Sequence, residues 1–292
     1  MSRKAYLAIA AACVLMGGCG PDDIAMETGP RRFPELDVVP GRVLADQPDE
    51  SALYQVHAIY VVPSDGQDRQ LDVNGALERS ITAFNTWLAR QANGARVRFD
   101  RIDGQLDISF FRSSQTDAEM ADNGPFVRDV LEDELSAAGF DQPNKMYAVY
   151  YDGTSTFACG GCTWPPDFVG RVVALYLNGL PTFTVPCRAH RFANDQDDLG
   201  YYEFAMLHEI VHALGFAALC APNQGIGPHT TDDPLDLMYA GDQPWQPARL
   251  DPGRDDYYDH GIDDCLDLKD SAFLEPLPPA LSHRPAGETS FQ

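Results

Sequence analysis

The sequence predicts an α+β domain: one mixed, twisted sheet covered by helices, a last long helix, and then an irregular C-terminal subdomain. Three observations carry this. Segments of period two alternate with segments of period 3.6 between residues 53 and 217. Their order is strand, helix, strand, strand, helix, strand, strand, helix, which suits a sheet with helices packed against it. Past Gly215 the chain is interrupted by Pro222, Pro228, Pro234, Pro244, Pro247 and Pro252, so little regular structure is expected there.

Taken in order, Arg3 and Lys4 precede an apolar run from Ala5 to Met16, too short to span a bilayer and read as an export signal over residues 1–18. The run closes on Leu15-Met16-Gly17-Gly18-Cys19, which resembles the lipobox of bacterial lipoproteins. That resemblance implies cleavage before Cys19, lipidation of its thiol and, with Gly20 following, an outer-membrane or surface address; a secreted or periplasmic protein is the alternative. Residues 19–52, with Pro21, Pro30, Pro34, Pro40 and Pro48, read as a tether. The domain is expected over 53–275, divided at 217, and a disordered tail over 276–292.

Inside the domain, Val56, Ala58, Tyr60 and Val62 form one face of a strand from Tyr54 to Val62. Leu77, Ile81, Phe84 and Leu88 stripe a helix from Val73 to Gln91, stopped at Asn93-Gly94. Alternation at Val97, Phe99 and Ile102, then at Leu106, Ile108 and Phe110, brackets Asp103-Gly104 as a hairpin. A second helix runs from Pro125 to Ala138 and ends at Gly139. Strands Lys145–Tyr151 and Arg171–Leu177 flank a Cys159–Pro166 loop, and the second is expected at the sheet edge. Asn194 to Asp198 opens the last helix, its aspartates at the positive end of the dipole.

A formal net charge of −23 repels nucleic acid and anionic lipid, so no nucleic-acid partner is expected and membrane contact only through the lipid. The expected state is a monomer. Export brings oxidising conditions, so Cys159, Cys162, Cys187, Cys220 and Cys265 are disulfide candidates. Their number is odd, which leaves one thiol over. Cys159-Gly160-Gly161-Cys162 has redox or metal-knuckle spacing without the context of either. Cys220 with Cys265 is the favoured pair, since the two flank the segment discussed next.

The chemistry lies in His208-Glu209-Ile210-Val211-His212. On a helix, positions four apart share a face, so His208 and His212 can hold one metal ion, with Glu209 beside them as a base. Phe204, Leu207, Val211 and Leu214 recur at helical steps around them. A catalytic zinc needs a third protein ligand. No glutamate occurs between His212 and Glu275, which argues against a glutamate ligand on a following helix. The candidates are His229, His260 and the aspartates Asp232, Asp233 and Asp236.

His208 through Gly215 resembles the first part of the metzincin signature, and Leu237-Met238-Tyr239 resembles that family's methionine turn. The resemblance implies a zinc endopeptidase fold, a third histidine three residues after Gly215, and Met238 as the floor beneath the metal. Ala218 stands at that third position, so an insertion between Gly215 and His229 is inferred, with His229 as the ligand. Asp232 as ligand would be similar to the aspzincin arrangement. Tyr239 could stabilise a developing oxyanion, and Asp232, Asp233 and Asp236 could orient His229 or bind Ca2+. The expected activity is hydrolysis of a protein or peptide substrate with Zn2+, Glu209 acting as general base. The alternatives are a zinc-stabilised surface binding protein and a metal-dependent hydrolase of non-peptide amides.

Overall fold

The structure is a computed structural model, and it describes residues 39–162, 171–180, 186–193, 195–225, 227–240 and 245–278. The signal segment, Cys19 and residues 279–292 lie outside the described residues.

Strand β1 (Gln55–Val62) is buried along its whole length. Its alternation sends Val56, Ala58, Tyr60 and Val62 into one core and Ile59 and Val61 into another, on the opposite face. Helix α1 (Ala76–Gln91) begins three residues later than its apolar pattern suggests, behind Gly75 with φ 80°, and buries the expected Leu77, Ile81, Phe84 and Leu88. After it come β2 (Arg96–Val97), β3 (Arg101–Ile102), β4 (Gln105–Leu106) and β5 (Ile108–Arg112).

The expected hairpin is therefore smaller than the alternation implied. Only β3 and β4 pair around Asp103 and Gly104, whose positive φ values of 50° and 74° suit a primed turn. The longer run after it, β5, instead lies parallel to β1.

Helix α2 (Asp117–Ala121) was not expected, although Thr116 and Glu119 form a capping box readable in the sequence. Helix α3 (Val127–Ala137) follows a 3₁₀ turn at Gly124–Phe126. Then come β6 (Lys145–Tyr151), β7 (Gly160–Gly161), β8 (Val172–Tyr176), α4 (Tyr201–Ala213) and β9 (Leu274–Glu275), the last paired antiparallel with β2.

The five-stranded sheet has the order β5-β1-β6-β8-β7, with β7 alone antiparallel. The crossover from β1 to β5 and that from β5 to β6 step in opposite directions along the sheet. Crossovers of one hand must then pass over opposite faces. Accordingly α1 packs with α4 in the core on one face, while α2 and α3 bring Met120, Val127, Leu131 and Leu135 to the other. The Arg171–Leu177 strand is not the edge. It pairs with β6 on one side and β7 on the other, because the loop before it folds back as β7.

Residues 39–52, grouped with the tether by their prolines, run along the domain. Arg42 bonds Asp68 and Asp72 and stacks 3.8 Å over the Phe110 ring, and Phe110 donates its backbone N–H to the Val43 carbonyl, alongside β5. Among the described residues no helix is long and apolar enough to cross a membrane.

Candidate metal centre

Helix α4 needs an acceptor for the donors at its first turn. Glu203, buried within that turn, accepts from the N-cap Gly200 N at 3.0 Å and also from Ala193 N of the preceding segment at 3.1 Å. Asp195, Asp197 and Asp198, expected at the positive end of the dipole, precede the helix, which begins at Tyr201. Gly215, with φ 100°, turns the chain away after the helix.

One turn apart on α4, the rings of His208 and His212 stand 4.3 Å apart at 85°. His208 Nδ1 faces the Leu237 carbonyl at 2.7 Å and His212 Nδ1 the Phe216 carbonyl at 2.8 Å. Each carbonyl fixes Nδ1 as the protonated nitrogen and leaves Nε2 with its lone pair. His212 Nε2 meets His229 Nε2 at 3.1 Å, and the three histidines bring one ligand atom each within 4.8 Å of one another. Two nitrogens so close, both at the Nε2 position, are what tetrahedral zinc requires at a metal–nitrogen distance of about 2.0–2.1 Å. This donor set fits zinc. Burial, reinforced by His229, lowers His208 to about 3, and burial beside His208 and His229 holds His212 well below its usual range. Both imidazoles are neutral at neutral pH, the form that could bind a metal.

His229 reaches this point from the C-terminal region. Ala217 N donates to the Pro228 carbonyl at 2.8 Å, so the chain leaves after Ala217 and returns at Pro228. Thr230 then lies beside Tyr239, with Thr230 N to Met238 O at 2.9 Å and Ala240 N to Thr230 O at 3.0 Å. Asp236, wholly buried, ties this pairing together by accepting from Met238 N at 2.8 Å, from Thr230 Oγ1 at 3.0 Å and from the Tyr257 hydroxyl. Burial pushes the Asp236 carboxyl up to about 7, against the pull of those donors. Met238 is buried beside Leu237, whose carbonyl holds His208. Tyr239 is half-buried at the same bridge.

The other candidates fall elsewhere. Asp232 is exposed and groups with Asp236 and Asp256, and Asp251 and Asp255 form a further carboxylate group with Asp256. His260 Nε2 is bound to the Leu266 carbonyl at 2.7 Å. Cys220 pairs with Cys265, Cys159 pairs with Cys187, and Cys162 is free.

Glu209 follows His208 on the helix, and burial pushes its carboxyl up to about 8. Its side chain lies over Gly160 of β7, where a Cβ would fall 2.7 Å from its carboxyl carbon. Trp245 sets its ring edge-on to His208 at 5.3 Å between centroids. Neither Gly160 nor Trp245 carried a signal in the sequence, since each owes its place to tertiary folding.

No protein-family model matches the chain, and no curated protein matches it. Solved structures with a related arrangement include wild-type OgpA from Akkermansia muciniphila, at 14% identity and TM-score 0.39, over 73% of this chain and 61% of that one. A catalytically inactive OgpA in complex with an O-glycopeptide substrate matches at 13% identity and TM-score 0.35, over 62% of this chain and 52% of that one. Metalloproteinase-II from Bacteroides fragilis matches at 18% identity and TM-score 0.36, over 73% and 55%. The chain thus spans less than two thirds of the length of each.

Proposed function

We propose that the chain is a zinc-dependent endopeptidase of the metzincin type, with His208, His212 and His229 as ligands and Glu209 as general base. The observation that carries this is the convergence of three imidazoles, two of them on one helix beside the Glu209 carboxyl. Zinc bound there would polarise the scissile carbonyl and acidify water. Glu209 accepts the proton from the attacking water and passes it to the leaving amine.

An extended substrate adds to the sheet along β7, the edge strand, rather than along β8. In this reading Tyr239 serves the developing oxyanion, and Met238, buried beside Leu237, forms the floor beneath the ligands. The protein acts outside the cytoplasm, anchored through Cys19 after removal of residues 1–18. Two disulfides support an oxidising compartment. The test is Glu209→Gln: zinc content should stay stoichiometric while peptide cleavage disappears, and a fully active variant would overturn the mechanism.

A further inference from the structure

The free thiol of Cys162 is the feature that neither the zinc ligands nor the disulfides absorb. In an extended strand, side chains two apart point to one face and neighbours to the other. A Cβ on Gly160 would meet the Glu209 carboxyl carbon at 2.7 Å and Cγ at 2.8 Å, while one on Gly161 would meet the Tyr176 hydroxyl at 2.9 Å. Cys162 directly follows β7, and the alternation continued by one residue gives it the Glu209 face, as for Gly160. Cys162 packs against the core on the α4 side, and Glu209 is the carboxyl that acts on its thiol.

The strand that carries it is held firmly. Cys159 is disulfide-bonded to Cys187, Tyr176 N donates to the Cys159 carbonyl at 2.8 Å, and Gly160 and Gly161 pair with Leu175 and Ala174. Glutamate has three rotatable side-chain bonds, and nothing in the H-E-x-x-H spacing fixes where its carboxylate points. Here Gly160, lacking a Cβ, leaves it room.

We propose that Cys162 is a positioning residue: its S–H donates to the Glu209 carboxylate and, with Gly160, sets the direction of the general base. Burial and the adjoining carboxylate keep the thiol well above its usual range, hence protonated and a donor. This inference rests on the proposed role of Glu209, but its test does not.

The S–H stretching band of Cys162 is isolated by Raman difference between the wild-type chain and Cys162→Ser. In the metal-free protein it should lie at the lowered frequency of a hydrogen-bonded thiol, and Glu209→Ala should move it up. A band unmoved by Glu209→Ala overturns the proposal, whether or not the protein cleaves peptides. In the zinc-loaded protein, Cys162→Ala should lower kcat about tenfold, with KM and zinc content unchanged. Cys162→Ser, which keeps a donor, should recover most of that loss. Equal loss in the serine and alanine variants would reduce Cys162 to packing and overturn the proposal. If the wild-type protein with full zinc cleaves nothing, the peptidase reading fails by itself, and the Raman shift still decides the contact.

Discussion

The segment from β1 to α4 and the segment after Gly215 build the same histidine triad by different means. The first is regular: parallel strands buried on both faces, helices on either side, and two histidines delivered by helical periodicity. The second has little regular structure, with a brief pairing at Thr230–Tyr239, a disulfide and carboxylates that collect backbone N–H groups. Asp251 alone accepts from the backbone of Asp256, Tyr257 and Tyr258, at 3.2, 2.8 and 2.9 Å. The difference teaches that two histidines of the triad can be set by a local repeat, whereas the third depends on a network with no period at all.

The largest effects should test whether both regions contribute ligands. His229→Ala should weaken zinc binding as much as His212→Ala does, by more than about a hundredfold, whereas Asp232→Ala should leave it unchanged. Metal titration decides this, and the opposite ranking would move the third ligand to the aspartates.

Stability should separate the regions next. Leu131→Ala, in the core under α3, should cost about 2–5 kcal/mol in urea unfolding without altering zinc affinity. Asp236→Ala leaves three donors without their acceptor and should cost about 3 kcal/mol, but with weakened zinc binding as well. Equal effects on zinc would erase the distinction between the regions.

Acidity should pull them in opposite directions. His208 is lowered in the fold, so its contribution is present above the ordinary histidine range and is lost as pH falls toward about 3. Asp236 is raised, so its contribution is present below the ordinary carboxylate range and is lost as pH rises through about 7. Between pH 4 and 6 in metal-free protein, His208→Asn should therefore gain on the wild type with acidification and Asp236→Asn should fall behind. Each slope is bounded by about 1.4 kcal/mol per pH unit. Thermal melts across that range check both signs.

The smallest effect belongs to the surface. Arg90 and Asp197 pair with side chains 54% and 67% exposed, and Arg90→Ala should change stability by less than about 1 kcal/mol.

What was legible follows the same divide. The strand expected from Tyr54 to Val62 and found at Gln55–Val62, the strand Lys145–Tyr151, the stripe of α1 and the helical pair His208 and His212 all obey a period. The capping box at Thr116 is legible too, from the Thr-x-x-Glu spacing alone. Strand β7 was not, because Gly160 and Gly161 have no strand propensity and pair only because β8 lies beside them. Nor does any local signal carry strand order, which is why Arg171–Leu177 was expected at the edge. The aspartates before α4 looked like its cap, while Glu203 inside the first turn does that work. His229 was reached only by supposing an insertion.

That supposed insertion has a geometry with its own consequence. Ala217 and Pro228 are bonded to each other, and within the excursion between them Gly225 N donates to the His229 carbonyl at 2.8 Å, so bonds across the loop, rather than its contour length, place His229. The histidine triad can therefore close over a long sequence separation between His212 and His229. A spacer grafted at Pro222, on the exposed side of the loop, lengthens the path in sequence and leaves the distance in space alone. A search by fixed spacing stops at Ala218, whereas one that allows a closed excursion finds His229.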